Sequence, residues 1–335
     1  MKHIFMYFFI IISISGYSQK KSNFKKYDEF VWNAMIQFKN KDYENSLKNF
    51  KKAFKIISND SDYDYFYAAA AALNLNNDIE SERLIIESIK EMNTSKAFFL
   101  NFKEFDPFRS KKLFEKISDN YEKYQVIFFK NLAHPEIYKE IDSLFSRDQK
   151  VRLNGDDINK IDTQNINRLI EITKKYGWQD RGAWTILWHH RGEYGQDERT
   201  YANKNVIDSL IAVGKIPKDF WTTYEVEKLE KAKNNIWSFF KPYIDDQIAK
   251  DKMRKDFWAR YEDEKSITIK KTQVYGIFWS QLNELPIEDI ENVDKRRSLV
   301  GMPPLWYMSK TCDFKLPDGY KPKMNYDIRN NWYKF

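Results

Sequence analysis

Six polar side chains stand where they could do chemistry together. His189 and His190 sit side by side in Trp184-Thr185-Ile186-Leu187-Trp188-His189-His190-Arg191. Adjacent residues on a helix point about 100° apart, so at most one of the two rings faces inward with Ile186. His190 is the first candidate for a proton carrier, because imidazole is the side chain whose ordinary pKa lies near neutrality. Tyr275 is the second catalytic candidate. Asp148, Arg152, His189 and Arg297 are the groups expected to bind a ligand around them. Asp148 and Arg152 are four residues apart, hence on one helix face and able to pair. An imidazole with Tyr and Arg beside it can bind an anion or polarise a carbonyl. The same groups can equally form a buried hydrogen-bond network, since interior polar groups must find partners.

Other chemistries lack their residues. The chain has four histidines, one of them His3 near the start, and a single cysteine, Cys312. With no H-x-x-x-H spacing these make no zinc site, and neither a metal nor a cofactor is expected. There is no phosphate-cradling glycine loop and no G-x-S-x-G elbow. Glu193, Asp197 and Glu198 follow Gly192 without the pattern of a calcium loop, and read as a solvated stretch.

The start of the chain indicates where it works. Met1-Lys2-His3, the apolar run Ile4 to Ile14 and Ser15-Gly16-Tyr17-Ser18-Gln19 have the three parts of a secretory signal. Residues 1–18 are therefore expected to be removed, giving an exported, periplasmic or secreted protein. An N-terminal membrane anchor is the alternative, but a bilayer needs about 20 apolar residues and this run is shorter. No later stretch is apolar enough to span. One cysteine allows no intramolecular disulfide, so stability must come from packing. The 17% of aromatic residues suits that. The net charge is +7, but basic and acidic residues interleave as on solvated helix faces. Interleaving and export both argue against a nucleic-acid partner.

The positioning elements are mainly helices. Apolar residues recur at helical spacing through Phe30–Phe38 and Tyr43–Ile57, with Asn40-Lys41-Asp42 as the break, and again through Tyr65–Leu75 and Ile79–Met92 around Asn76-Asn77-Asp78. Superposing the pairs matches Asp42 with Asn77, Ser46 with Ser81, Phe50 with Ile85, Ala53 with Ser88 and Phe54 with Ile89, close to a period of about 34 residues. On these residues the segment resembles tetratricopeptide repeats, and Phe105-Asp106-Pro107-Phe108-Arg109 resembles the cap that follows them. That resemblance implies a groove for a protein or peptide, one that the chain's own second half could also fill. An ordinary helical bundle with chance periodicity is the alternative.

Residues 19–132 are thus read as a tetratricopeptide-like module and 133–310 as an α-rich domain. The domain is expected to contain a helix from Asp162, as N-cap, to Lys175, an inserted helical arm at about 232–264, and a small β-hairpin through Ser266–Lys270 and Gln273–Trp279. Residues 311–335 are read as an extended tail. Asp148-Gln149…Arg152, Tyr176-Gly177-Trp178, His189-His190, Gln273-Val274-Tyr275-Gly276, Pro286-Ile287-Glu288-Asp289 and Arg296-Arg297…Gly301 occur in an order that resembles a bacterial domain-of-unknown-function family with the motifs D-Q-x-x-R, G-W-P, Q-H, Y-G-T-Q, P-I-x-D and R-R-x-x-x-G-L. Gln179 stands in place of the motif's Pro, His189 in place of the Gln, and Ile277-Phe278 in place of Thr-Gln. The resemblance implies a fold and no activity. Two functions remain open: an exported binding or scaffold protein, and a hydrolase or transferase using His190 as acid/base beside an Arg-lined anion site.

Overall fold

The computed structural model describes residues 23–58, 60–154, 157–179, 182–190, 203–224, 236–278, 284–312 and 315–322. The expected signal segment, the stretch after His190 and the end of the expected tail lie outside them. The described protein is mainly helical, and none of its helices is long and apolar enough to cross a membrane.

Helices α1 (Asn23–Lys39) and α2 (Tyr43–Phe54) form one antiparallel pair, α3 (Asp62–Asn74) and α4 (Asp78–Met92) the next. The two turns are built alike. Lys41 and Asn76 take left-handed φ values of 62° and 58°. The following Asp42 and Asn77 cap the next helix by accepting from Asn45 N and Glu80 N. Small residues lie where the helices touch: Ser46 is buried with its hydroxyl donating to Ala34 O at 2.8 Å, and Ala68 to Ala72 are all buried. The pairs are followed by α5 (Lys96–Asn101), a 3-10 turn at Lys103–Phe108, α6 (Lys112–Asp119) and α7 (Tyr121–Asn131). Here Arg109 donates to Phe99 O and Phe102 O, both at 3.0 Å, and lies over Phe99, Phe105 and Phe114.

The second half is built on α8 (Pro135–Asn154), α9 (Ile158–Tyr176), α10 (Gly182–Trp188) and, after the short α11 (Lys204–Ala212), α12 (Ile236–Ala249) and α13 (Ala259–Lys270). Helix α9 begins a turn earlier than expected, capped by Asp157, whose side chain accepts from Lys160 N at 3.1 Å. This puts Asp162 inside the helix. At its C-terminal end Gly177 has φ +80°, and Trp178 folds in against Phe240 and Phe257. The residues expected to form an arm are core from Ile236 onward, because Trp237, Phe240, Ile244 and Tyr261 share one apolar cluster with Leu169, Ile186 and Leu187.

No strand occurs among the described residues. Ser266–Lys270, expected as half of a hairpin, ends α13 instead. Its alternation is too short to override a helix whose preceding turn is anchored by buried Tyr261 and Asp263. The one β-type contact there is an isolated parallel bridge between Gln273 and Ile287. Helices α14 (Val293–Leu299) and α15 (Leu305–Thr311) are the last of the described helices. Helix α15 returns to the first half, where Tyr307 joins the N-terminal core and meets Trp32 at 5.9 Å.

A buried ion cluster makes the second contact between halves. Arg254 donates to both oxygens of Asp28 on α1, at 2.7 and 2.8 Å, and to Asp60 in the loop before α3. Beside them Tyr27 donates to Asp64 Oδ2 at 2.7 Å. Burial pushes Asp28 up to about 7 against the opposing pull of Arg254, and pushes Asp64 up to about 7 with help from Asp60.

Two outcomes follow from this cluster. Arg254→Ala leaves Asp28 buried without its cation and should destabilise the fold by about 3–5 kcal/mol, read by urea unfolding. Asp64 holds its proton more tightly folded than unfolded, where its pKa is 3.8. Its contribution is therefore complete below about pH 4 and lost as pH rises through about 7. The fall in stability between those pH values should be shallower in Asp64→Asn than in the native chain, measured as melting temperature against pH.

Candidate functional site

The six polar side chains do not converge on one point: Asp148, Arg152 and His189 meet in one place, and Tyr275 and Arg297 belong to another. The first lies where α8, α9 and the end of α10 meet. The buried carboxylate of Asp148 accepts from His189 Nδ1 at 2.8 Å, Arg152 Nη1 at 2.9 Å and Gln149 Nε2 at 2.7 Å. Arg152 reaches on to both oxygens of Asp162 at 2.8 Å. The helical spacing of Asp148 and Arg152 makes their pairing possible. The early start of α9 aims Asp162 at the same guanidinium. Next to this cluster Arg147 donates to Asn165 Oδ1 at 3.0 Å, and the fully buried Asn165 donates to Leu144 O at 3.2 Å, tying α8 to α9.

His189, rather than His190, is the histidine that faces Asp148. Helix α10 stops at Trp188, and His189 and His190 form the turn that follows. The backbone carbonyl of His190 accepts from Trp237 Nε1 at 2.9 Å. A carboxylate on Nδ1 selects the tautomer with the proton on Nδ1 and leaves Nε2 as the basic nitrogen, the arrangement of an orienting acid behind a general base. Asp148, Asp162 and His189 also bring one ligand atom each within 4.8 Å of one another. Arg152 already spans the two carboxylates, so a metal ion there would have to displace a bidentate guanidinium.

Tyr275 and Arg297 belong to the second place, a knot of loops around Asp263. This buried carboxylate accepts three backbone N–H groups: Val274 at 2.6 Å, Tyr275 at 2.7 Å and Ile277 at 2.7 Å. Gly276 lets the loop turn with φ +70°, and a Cβ there would meet Ile287 Cδ1 at 2.4 Å. Buried Gln273 holds Phe278 through both its carbonyl and its amide, and donates to Leu285 O. Arg296 donates to the carbonyls of Val274, Glu288 and Asp289. Arg297 donates to Tyr275 O at 2.6 Å and Pro303 O at 2.5 Å, and burial lowers its guanidinium to about 10, still charged at neutral pH. Tyr275 thus serves through its backbone, and Arg297 is spent on carbonyls. The ordered Q-V-Y-G, P-I-E-D and R-R segments are the parts of one folded loop system.

A third place carries the open space. A cleft of about 1220 Å³ runs between the halves. Asp60, Asp62, Lys90 and Glu91 line it from the first half; Phe145, Trp184, Thr185, Arg254, Asp256, Phe257 and Arg260 line it from the second. Arg260 lies 4.7 Å from the ring centres of both Trp184 and Trp188 and 5.7 Å from Phe278. Burial raises Asp256 against the pull of Arg254. Sequence reasoning missed this site. The signal available was the interleaving of Arg254, Asp256 and Arg260 with Phe257, Trp258 and Tyr261, which reads equally as a half-buried helix.

Compared with family models, curated proteins and solved structures, the chain matches none, so its functional reading rests on this geometry.

The tautomer of His189 is directly measurable. At a pH where the ring is neutral, long-range ¹H–¹⁵N NMR should find its proton on Nδ1. In Asp148→Ala that preference should be lost, and the fold should weaken as Arg152 and Gln149 lose their acceptor.

Proposed function

We propose that this is an exported binding protein that holds a ligand in the cleft between a tetratricopeptide-like module and an α-rich domain. One observation carries the reading: the cleft draws its walls from both halves and mixes flat aromatic rings with charges of both signs. Such mixed linings suit ligand recognition, in which apolar surface supplies affinity and a few polar groups supply orientation. The tetratricopeptide-like assignment is supported by the matching turns at Lys41-Asp42 and Asn76-Asn77 and by the small residues buried at equivalent points. Export is supported by the signal pattern of residues 1–18, and the single cysteine accords with a fold held by packing. The motif resemblance adds no activity to this reading.

A second reading has its own observation. The Asp148–His189 pair at 2.8 Å would serve a hydrolase or transferase as acid/base, with Arg152 beside it. It moves the proton carrier from His190 to His189. A neutral ring carrying its proton on Nε2 would remove the base from that scheme.

Thr185 lines the cleft on α10. Thr185→Trp should fill the space while leaving the fold intact by circular dichroism. The purified protein is incubated with a small-molecule and peptide extract, passed through gel filtration and analysed by mass spectrometry. Compounds retained by the native chain should be at least about tenfold depleted in the variant. Equal retention by both removes the cleft as the binding site.

A further inference from the structure

The ion cluster between the halves is unbalanced in charge. Tyr27 and Asp28 enter it from α1, Asp60 and Asp64 from α3 and the loop before it, and Arg254 and Asp256 from the segment between α12 and α13. Four carboxylates thus face one guanidinium. Arg254 bonds Asp28 and Asp60, whereas Asp64 is held by the neutral hydroxyl of Tyr27 at 2.7 Å. Further groups stand around them. Asp62 adds negative charge beside Asp64, and Asp251 accepts from Asn23 N at 2.7 Å. Tyr307 reaches Asp28 and Asp64 from α15, and Arg297 acts more weakly than Arg254 on Asp256. Fully ionised, such a site keeps excess negative charge out of water, which burial penalises. Burial accordingly raises Asp28 and Asp64 to about 7, and Asp256 in the same direction.

The cluster also borders open space, because Asp60, Arg254 and Asp256 line the cleft. The apolar residues on its two sides belong to separate cores, one around Phe50 and Phe66, the other around Leu169 and Phe240. Parting the walls at the cluster breaks ionic contacts and leaves both cores whole. The packing of Tyr307 into the first core, and of Tyr138 against Phe128 and Phe129, is apolar and stays the same between acid and neutral pH.

From this geometry we infer that the cluster is a proton-operated latch on the cleft: protonated, it keeps the Arg254 wall against α1, and ionised, it admits water and lets the wall part. The closed form binds the proton more tightly than a hydrated carboxylate does. Asp64 keeps it up to about pH 7 when closed, against an ordinary value of 3.8. Each such proton favours closure fully below about pH 4 and no longer does so once pH has risen through about 7. Between those limits one proton changes the closed-to-open ratio by up to about tenfold per pH unit. The motion needs no ligand, so its failure leaves the cleft reading standing.

Nitroxide labels on the full chain test it. Cys312→Ser removes the native thiol, and Lys48→Cys on α2 and Lys252→Cys on the opposite wall place labels at two exposed positions. Pulsed electron paramagnetic resonance reads their separation at pH 5 and pH 8, with circular dichroism on the same samples. At pH 5 one short distance is expected. At pH 8 a population longer by at least about 3 Å, the width of one water layer, should reach at least about a tenth of the molecules with the helical signal unchanged. Asp64→Asn carries a neutral amide at both pH values and should suppress the long population. Comparing two pH values on the native cluster needs no cluster variant, so a misfolded Asp64→Asn does not spoil the test. The same distance at both pH values overturns the latch, and so does loss of helical signal at pH 8, which marks unfolding instead of opening. A long population unchanged in both Asp64→Asn and Asp256→Asn also overturns it, since the controlling proton then lies outside the cluster.

Discussion

One guanidinium joins the two halves of this protein. Arg254 comes from the turn after α12, yet its partners are Asp28 on the first helix and Asp60 in the loop before the third. A buried carboxylate without a cation is costly by several kcal/mol, whereas the complete pair recovers much of that through short charge-assisted bonds. The arrangement therefore tolerates little separation of the halves. Asp60, Arg254 and Asp256 also border the cleft, so the interaction that holds the halves together shapes the space between them. With Cys312 as the single cysteine, no covalent cross-link within the chain shares the task. Apolar packing adds to it, where Tyr307 on α15 packs into the N-terminal core and Tyr138 on α8 meets Phe128 and Phe129.

The polar residues of the second half illustrate how similar chemistry serves different ends. Asp263 and Asp148 are both buried carboxylates with three donors each. Asp263 takes three backbone N–H groups that a loop cannot otherwise satisfy, and so fixes the path of Val274 to Ile277. Asp148 takes side chains from its own helix and from His189, which leaves an imidazole nitrogen oriented for use. Residue type and order do not separate these roles. What separates them is whether the donors belong to the backbone or to groups with a second functional end.

Much of the helical framework was legible because it depends on neighbours in the chain. The breaks at Asn40–Asp42 and Asn76–Asp78 follow from side chains within a few residues of one another. The same reasoning failed where a local pattern was short. The alternation of Ser266–Lys270 suggested a strand, but the last turns of α13 continue from an anchored helix. Asp162 was read as an N-cap, but Asp157, five residues earlier, could cap as well, and the choice released Asp162 to meet Arg152. Of the candidate site, the Asp148–Arg152 pair was legible from its spacing of four. A continued helix would put His190, four residues after Ile186, on the apolar face, but α10 ends at Trp188.

The sequence by itself determined a mainly helical chain, the positions of its first four helices, the absence of any cysteine pair within it and a set of polar residues with the means to do chemistry. All of these depend on composition or on contacts a turn or two apart. Only the tertiary structure decided that Arg254 meets Asp28, that Arg260 lies beside Trp184 and Trp188, that Tyr275 and Arg297 serve a loop, and that open space lies between the halves. Those outcomes depend on which distant surfaces pack together. Such packing is chosen by the summed burial of many side chains, and no single pair of residues carries it in a form that can be read along the chain.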